Sequence, residues 1–356
     1  MRLMIAALLL FRTVPAFSQW MIDTVAGGYI PNGVPALTVE LVSTIGITGD
    51  REGNIYFVGS HYLIREISKD GTIKTIAGNG LSTIAGDGGP ALAASLGGST
   101  KLTADSAGNL FFIDTSRIRR IDASSGTVTT VAGTGIPGSL GADGPATLAQ
   151  IDNPSDITLG RDGVYFSEPK DNRIRKLTAD GHIALVAEGL NGPSALAADA
   201  AGNIYVAEVN QDIRRITVDG AVSVLATGFS SIRSLAAGAQ GELYVGDCLR
   251  SPISCQIRSV GPDGTVHTVA GSPTGPLTDG PAASVTLGAV NGLFADGAGT
   301  IYFGDGPADG GGSPHPQGDA TANRGDDCRW HSRPGSRRTG HAEGVAGEPC
   351  WYRGGS

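Results

Sequence analysis

One phrase is written six times along this chain, and its spacing constrains the fold more than any other feature. It reads Gly-Asn-Ile-Tyr-Phe, an acid, Ile-Arg-Arg-Ile, Asp-Gly, then Thr-Val-Thr-Thr-Val-Ala-Gly. The second apolar run of each copy begins at Ile55, Leu110, Val164, Ile204, Leu243 and Ile301, in steps of 55, 54, 40, 39 and 58 residues. The fourth copy predicts strands at Ala195–Ala198, Ile204–Ala207, Ile213–Ile216 and Val222–Ala226. Gly202-Asn203 and Asp219-Gly220 fall between them, and such pairs tolerate the positive φ of tight hairpin turns. The same turn recurs at Asp70-Gly71, Ser125-Gly126, Asp180-Gly181 and Asp263-Gly264.

Many of these runs are apolar at successive positions, as in Ile55-Tyr56-Phe57-Val58 and Leu110-Phe111-Phe112-Ile113. A strand of that kind needs cover on both faces. Four short strands per copy, repeated with a period near ~40 residues, satisfy this when the sheets stack radially as propeller blades. The expectation is an all-β propeller of six blades whose last blade is incomplete, with seven blades if the chain once carried a further repeat. Some copies are separated by an insert, clearest at Gly86-Asp87-Gly88-Gly89-Pro90-Ala91 and related at Asp143-Gly144-Pro145-Ala146 and Asp279-Gly280-Pro281-Ala282. Pro followed by Ala and Leu predicts a short helical turn there. Residues 22–27 read as the end of a repeat with no beginning. A lone outer strand at this point would pair with the last blade and close the ring, removing an open sheet edge.

These residues carry a resemblance. Gly-Asn-Ile-Tyr, the acid, Ile-Arg-Arg-Ile, Asp-Gly and Val-Ala-Gly resemble the NHL repeat. With the Gly-Asp-Gly-Gly-Pro-Ala inserts, the chain is similar to bacterial NHL proteins related to the teneurin propeller. The resemblance implies a fold over about residues 22–305. It implies no single function, because one fold hosts many.

The two ends read differently. Met1-Arg2, an apolar run over residues 3–11, and small residues at Ala16 and Ser18 predict a signal peptide over residues 1–18. A buried first strand is the alternative. The leader implies a secreted or periplasmic protein. The propeller then spans residues 19–305. Cys248 and Cys255 flank six residues inside one repeat. In an oxidising compartment they form a disulfide staple, and otherwise two free thiols. Residues 306–356 contain no Ile, Leu, Met or Phe and one Val, Val345. Where the sixth copy should continue, residues 315–319 and 326–331 can be encoded by codons that, read one nucleotide later, spell Thr-Arg-Lys-Val-Thr and Thr-Thr-Val-Ala-Gly. The tail is therefore expected to be frame-shifted, with a natural disordered extension as the alternative. On this reading the sixth blade stops after two strands and residues 22–27 lack partners. His315, His331, His341, Cys328 and Cys350 lie in that tail and are assigned no metal.

The formal net charge is −8, without basic clusters, which argues against nucleic acid as a partner. No apolar run is long enough to span a bilayer. An acid follows the second strand in five copies, at Asp114, Glu168, Glu208, Asp247 and Asp305, with Gly59 in its place in the first. These are the candidate ligand-binding residues. Converging carboxylates can hold a cation, but recurrence in blade after blade fits a turn cap or a partner for the following arginine. Arg65, Arg119, Arg175, Arg214 and Arg258 recur in the same way and are read as bridging groups. His61, His182 and His267 occupy unrelated places in the repeat. No catalytic residue, metal or cofactor is assigned. The expected function is a binding or interaction module for a protein or carbohydrate. Its contact surface would be the loops after the second strand, around residues 60–63, 116–117, 170–173, 210–212 and 249–256. The alternatives are a metal-dependent hydrolase resembling gluconolactonase, which needs an uneven set of residues facing the axis, and a nonfunctional remnant.

Overall fold

Four of the inner hairpins start from an aspartate, Asp50, Asp105, Asp199 or Asp296, that ties its own turn. Asp50 accepts from the backbone N–H groups of Glu52 and Asn54, each at 2.9 Å, and from the Tyr56 hydroxyl at 2.9 Å. Asp199 repeats this on Asn203 N–H at 2.8 Å and the Tyr205 hydroxyl at 2.9 Å. Side-chain acceptors that mimic a backbone turn fix the hairpin locally, before any long-range contact forms. Burial beside the Asp199 carboxylate pushes the Tyr205 phenol up to about 12. Tyr56, Tyr165, Tyr205 and Tyr244 stand at matching register places, opposite Thr48, Thr158, Ala197 and Ala236 of the innermost strands.

The computed structural model describes residues 7–13, 20–26, 32–39, 41, 44–59, 61–141, 143–250, 253–272 and 280–306, all within one compact unit spanning residues 4–313. The tail predictions, from the altered reading frame to His315, His331, His341, Cys328 and Cys350, lie outside the described residues. The described strands form six antiparallel sheets. The innermost strands are Ile47–Gly49, Ser99–Ala104, Ile157–Gly160, Ala195–Ala198, Ile232–Ala237 and Ala289–Ala295. Each touches the next in chain order and the last touches the first, so the sheets close a ring. This is an all-β propeller. Apolar clusters fill the spaces between neighbouring sheets, for example Val58, Ile64 and Ala77 of the first sheet against Leu102, Phe112 and Val128 of the second. Doubly apolar strands are thereby covered on both faces.

In five sheets a β-bulge falls at the same place in the third strand, between Ile64 and Arg65, Ile118 and Arg119, Ile174 and Arg175, Ile213 and Arg214, and Ile257 and Arg258. A bulge re-aims the side chain that follows it, and here that side chain is always the recurrent arginine.

The closing sheet corrects the sequence-based expectation. Its order from the axis is Ala289–Ala295, Ile301–Gly306, Ala7–Thr13, Trp20–Ala26 and Gly280–Pro281. Residues 22–26 do act as an outer strand of this sheet, paired outward with Gly280–Pro281, but they do not pair directly with Ile301–Gly306. Ala7–Thr13, inside the expected leader, lies between them and supplies the third strand. Leu9 pairs with Phe303 on one side and Thr24 on the other. The pairing even carries a bulge between Leu8 and Leu9, the place of Ile-Arg in the other sheets. A sheet with two strands and an unpartnered latch would leave backbone donors and acceptors open; a hairpin from the chain start removes that cost.

The inserts make the predicted helical turns, as 3₁₀ segments at Ala91–Ala93, Ala146–Leu148 and Ala282–Ser284. A fourth, Ala36–Thr38 after Pro35, was not expected from the pattern. In each the proline caps the turn and does not occupy its first residue. The insert docks on the outer strand of the following sheet: Ala91 N–H donates to Gly126 O at 2.8 Å, Ala146 N–H to Gly181 O at 2.9 Å, and Ala36 N–H to Gly71 O at 2.7 Å.

Candidate functional site: two rings at one end of the channel

The recurrent acids form a ring of brackets. Asp114 is fully buried and accepts from Gly97 N–H at 2.8 Å and Arg119 Nη1 at 3.0 Å. Glu168, also fully buried, accepts from Asp152 N–H at 3.0 Å and from both Arg173 Nε at 2.9 Å and Arg175 Nε at 2.6 Å. Glu208 accepts from Asn191 N–H and Arg214 Nε, at 2.8 and 2.9 Å. Asp247 accepts from Ser230 and Ser231 N–H, at 2.8 and 3.0 Å, and from Arg258 Nη1 at 3.2 Å. In every case the acid joins the segment entering the innermost strand to an arginine of the third strand. Burial outweighs the ion pair at Asp114 and pushes its carboxyl up. Asp305 holds the same register place opposite Ala7; its side chain lies outside those described. Arginine planarity serves these brackets well: Arg119 also donates to Ser95 O and Ala85 O, and pairs with Asp87 of the insert at 2.8 Å.

A second ring lies closer to the axis and is uneven. The residue immediately before the aliphatic Ile47, Leu102, Ile157, Leu196, Leu235 or Leu293 is Gly46, Lys101, Asp156, Ala195, Ser234 or Gly292. The six aliphatics pair with equivalent residues of the second strands, so the six preceding positions are equivalent too. Lys101, Asp156, Ser234 and Gly292 line a channel cavity of 240 Å³ together with all six aliphatics. Lys101 Nζ donates to Asn291 O at 2.8 Å, and Arg233 Nη1 donates to Asn291 Oδ1 at 3.2 Å. Asp156 is buried and accepts from Ile157 N–H at 2.9 Å and Leu196 N–H at 2.8 Å. Burial pushes its carboxyl up, against the opposing pull of Lys101. Gly292 is closely packed: a Cβ there would meet Ile47 Cγ2 at 3.0 Å, so the neighbour would have to give way by a few tenths of an ångström.

Sequence reasoning missed Lys101, Asp156, Arg233 and Asn291. The signal was present. Aligning the copies at the position before the inner aliphatic gives unlike residues where the rest of the phrase is regular.

The uneven ring opens on the face of the loops after the second strands. Asp156 O accepts from Ser167 N–H at 3.1 Å, one residue before the Glu168 bracket. Backbone strain collects on this face. His61, Tyr62, Thr115, Asn172 and Gln211, all in those loops, have φ of 62°, 57°, 56°, 52° and 67°. A β-branched residue such as Thr115 at positive φ is an outlier, and such outliers gather where a surface is held for a purpose. In the fifth sheet the hairpin is longer, Leu243–Arg250 with Ile253–Val260. Cys248 pairs directly opposite Cys255 and the two are joined by a disulfide. Of the predicted contact loops, Ser60, Ser251 and Pro252 lie outside the described residues.

Among the described residues the histidines do not converge. His182 sits in an outer hairpin with Nδ1 3.3 Å from Asp180, and His267 in another outer strand. Among the described residues no group of three or more His, Cys, Asp or Glu is placed to hold a metal ion. No helix among them is long and apolar enough to cross a membrane.

The fold is shared with solved propellers. An auxiliary nutrient binding protein from Bacteroides thetaiotaomicron matches with a TM-score of 0.58 at 12% identity, over 84% of this chain and 74% of that one. A gluconolactonase from Xanthomonas campestris matches at 0.55 and 12% identity, over 85% and 97%. A streptogramin B lyase matches at 0.50 and 17% identity, over 77% and 93%. Binding proteins and enzymes both occur among these neighbours, and identities this low carry the fold alone. No protein-family model and no curated protein matches the chain.

Proposed function

We propose that this chain is an exported six-bladed β-propeller of the NHL type that works as a binding module, taking its ligand at the channel mouth on the loop face. One observation carries the reading. The bracket ring is regular and its acids are consumed by backbone N–H groups and arginines, whereas the ring beside the cavity is irregular. A single site in a repeat protein needs unlike groups from different repeats, and Lys101, Asp156, Ser234 and the nearby Arg233 and Asn291 are such a set. The strained loops and the disulfide-stapled hairpin on the same face support it, since binding surfaces sit on loops held by a rigid frame. The export part of the reading rests on the basic start and apolar run of residues 1–18; cleavage after Ser18 would take Ala7–Thr13 out of the closing sheet, so a cleaved leader and that strand exclude each other in the mature chain.

The test is a thermal-shift screen of small acids, neutral sugars, lactones and divalent cations, with product analysis alongside and hydrogen exchange on each hit. The expected outcome is a stabilising compound that slows exchange at residues 155–157, 194–196 and 290–292 and is recovered unchanged. Turnover of a lactone, or protection confined to the outer strands, overturns the reading. Export is read separately, by the N-terminal sequence of the protein recovered outside the cytoplasm.

A further inference from the structure

Lys101 and Arg233 differ from the other inward arginines of this propeller. Arg119, Arg175, Arg214 and Arg258 each hold a carboxylate at hydrogen-bond distance. Lys101 and Arg233 instead share Asn291, one on its backbone oxygen and one on its side-chain oxygen, both neutral. Neither has a carboxylate within ion-pair distance among the described residues. Two half-buried cations thus stand together, Lys101 on the cavity wall and Arg233 beside it through Asn291, in a chain whose formal net charge is −8. A cationic spot inside an acidic protein focuses field on that spot and draws small anions to it.

One carboxylate faces the pair. Asp156, from the neighbouring third sheet, feels Lys101 electrostatically, while both its oxygens already accept backbone N–H groups. With Asp156 ionised, the mouth carries one net positive charge. That balance suits a monoanion better than a dianion, which would be left in excess beside Asp156. Below the mouth the same cavity is lined by Thr48, Thr103 and Thr158 beside Ile47, Leu102, Ile157, Leu196, Leu235 and Leu293, which are each at most 6% exposed and show it little surface. The space, 240 Å³, is below the ~300 Å³ at which drug-sized pockets begin, and so fits a short molecule.

We infer that the channel mouth binds a small carboxylic acid, its carboxylate between Lys101 Nζ and the Arg233 guanidinium and its short body in the cavity below. This rests on the binding-module reading and names its ligand class. The guanidinium brings paired donors suited to a carboxylate, and Lys101 adds a mobile point charge.

The experiment is calorimetry on the full chain with sodium butyrate, butyramide and inorganic phosphate at constant ionic strength. Butyrate is expected to bind at least about tenfold tighter than either of the others, a difference of roughly 1.4 kcal/mol. Lys101→Met and Arg233→Met are each expected to weaken butyrate by about tenfold or more, and Asp156→Asn to strengthen it, because a facing negative charge is removed. The wild-type comparison of butyrate with butyramide needs no variant to fold. Equal binding of butyrate and butyramide, tighter binding of phosphate, or no butyrate binding up to about 50 mM overturns the inference. Butyramide or a neutral sugar binding in the channel, indifferent to Lys101→Met, would sink the carboxylate assignment and leave the binding module standing. Lactone turnover with no unreactive ligand bound would sink both.

Discussion

The bracket ring and the channel ring lie a few residues apart on the same strands, yet they obey opposite rules. At the brackets an acid recurs in four of the described sheets and meets the same partners each time: a backbone N–H from the entering segment and a third-strand arginine. At the channel, six equivalent positions hold Gly, Lys, Asp, Ala, Ser and Gly. Repetition marks what one blade after another uses to hold its own strands together. Departure from repetition marks what only one place in the ring needs. A similar contrast separates the five sheets made from contiguous chain from the closing sheet, which borrows its third strand from residues 7–13.

Deleting residues 1–18 should break the second contrast with the largest effect. The closing sheet loses the strand that joins both chain ends, and the melting temperature is expected to fall by roughly 10 °C relative to the full chain. Unchanged melting would mean that Ala7–Thr13 is dispensable to closure. Next come the brackets, which should differ by burial. Glu168→Ala strands two arginines, one of them fully buried, and is expected to cost about 3–4 kcal/mol in denaturant unfolding. Glu208→Ala leaves Arg214, whose side chain is 32% exposed and can turn to water, so about half that cost is expected. Replacing Cys248 and Cys255 by Ser releases a short loop, for which loop-closure entropy gives about 2–3 kcal/mol. Lys101→Met should sharpen the first contrast: it is expected to change unfolding by less than about 1 kcal/mol, since a half-buried hydrogen bond to a neutral oxygen is lost, while affinity at the channel collapses.

The smallest effect expected is in the acid limb. Hydrogen bonds from Ser68 and Thr72 hold the Asp70 carboxyl at about 2, and those from Ser124 and Ser125 hold Asp122 at about 2. Their folded-state values lie below the unfolded ones, so their contribution is present above the ordinary aspartate range and is lost as pH falls toward 2. Asp114 and Asp156 are shifted the other way by burial. Their contribution is present below the unfolded value and is lost as pH rises through the raised folded one. Melting should therefore decline more gently between pH 4 and 2, in round figures, for Asp70→Asn/Asp122→Asn than for wild type. Parallel curves would show that these turns do not govern the acid limb.

Much of the propeller was legible from residues because its rules are local. The Asp-Gly and Gly-Asn turns, the doubly apolar second strands and the proline inserts each act within a few residues, and the fourth copy's strands fall at the bounds its pattern predicts. The pairing of acid with arginine was legible for the same reason: each pair lies within one repeat. The channel residues were not, because Lys101, Asp156, Arg233 and Asn291 come from four different repeats and only ring closure brings them together. The third strand of the closing sheet was hidden differently. Residues 7–13 carry an apolar run that serves a leader or a strand equally well, and the chain's own text cannot choose between them. The composition and period determined a radial stack of four-stranded sheets, since alternation and turns are properties of neighbours in sequence. Which unlike side chains share the axis, and what fills the gap where the circle meets, was decided only in three dimensions, where distance along the chain no longer measures distance in space.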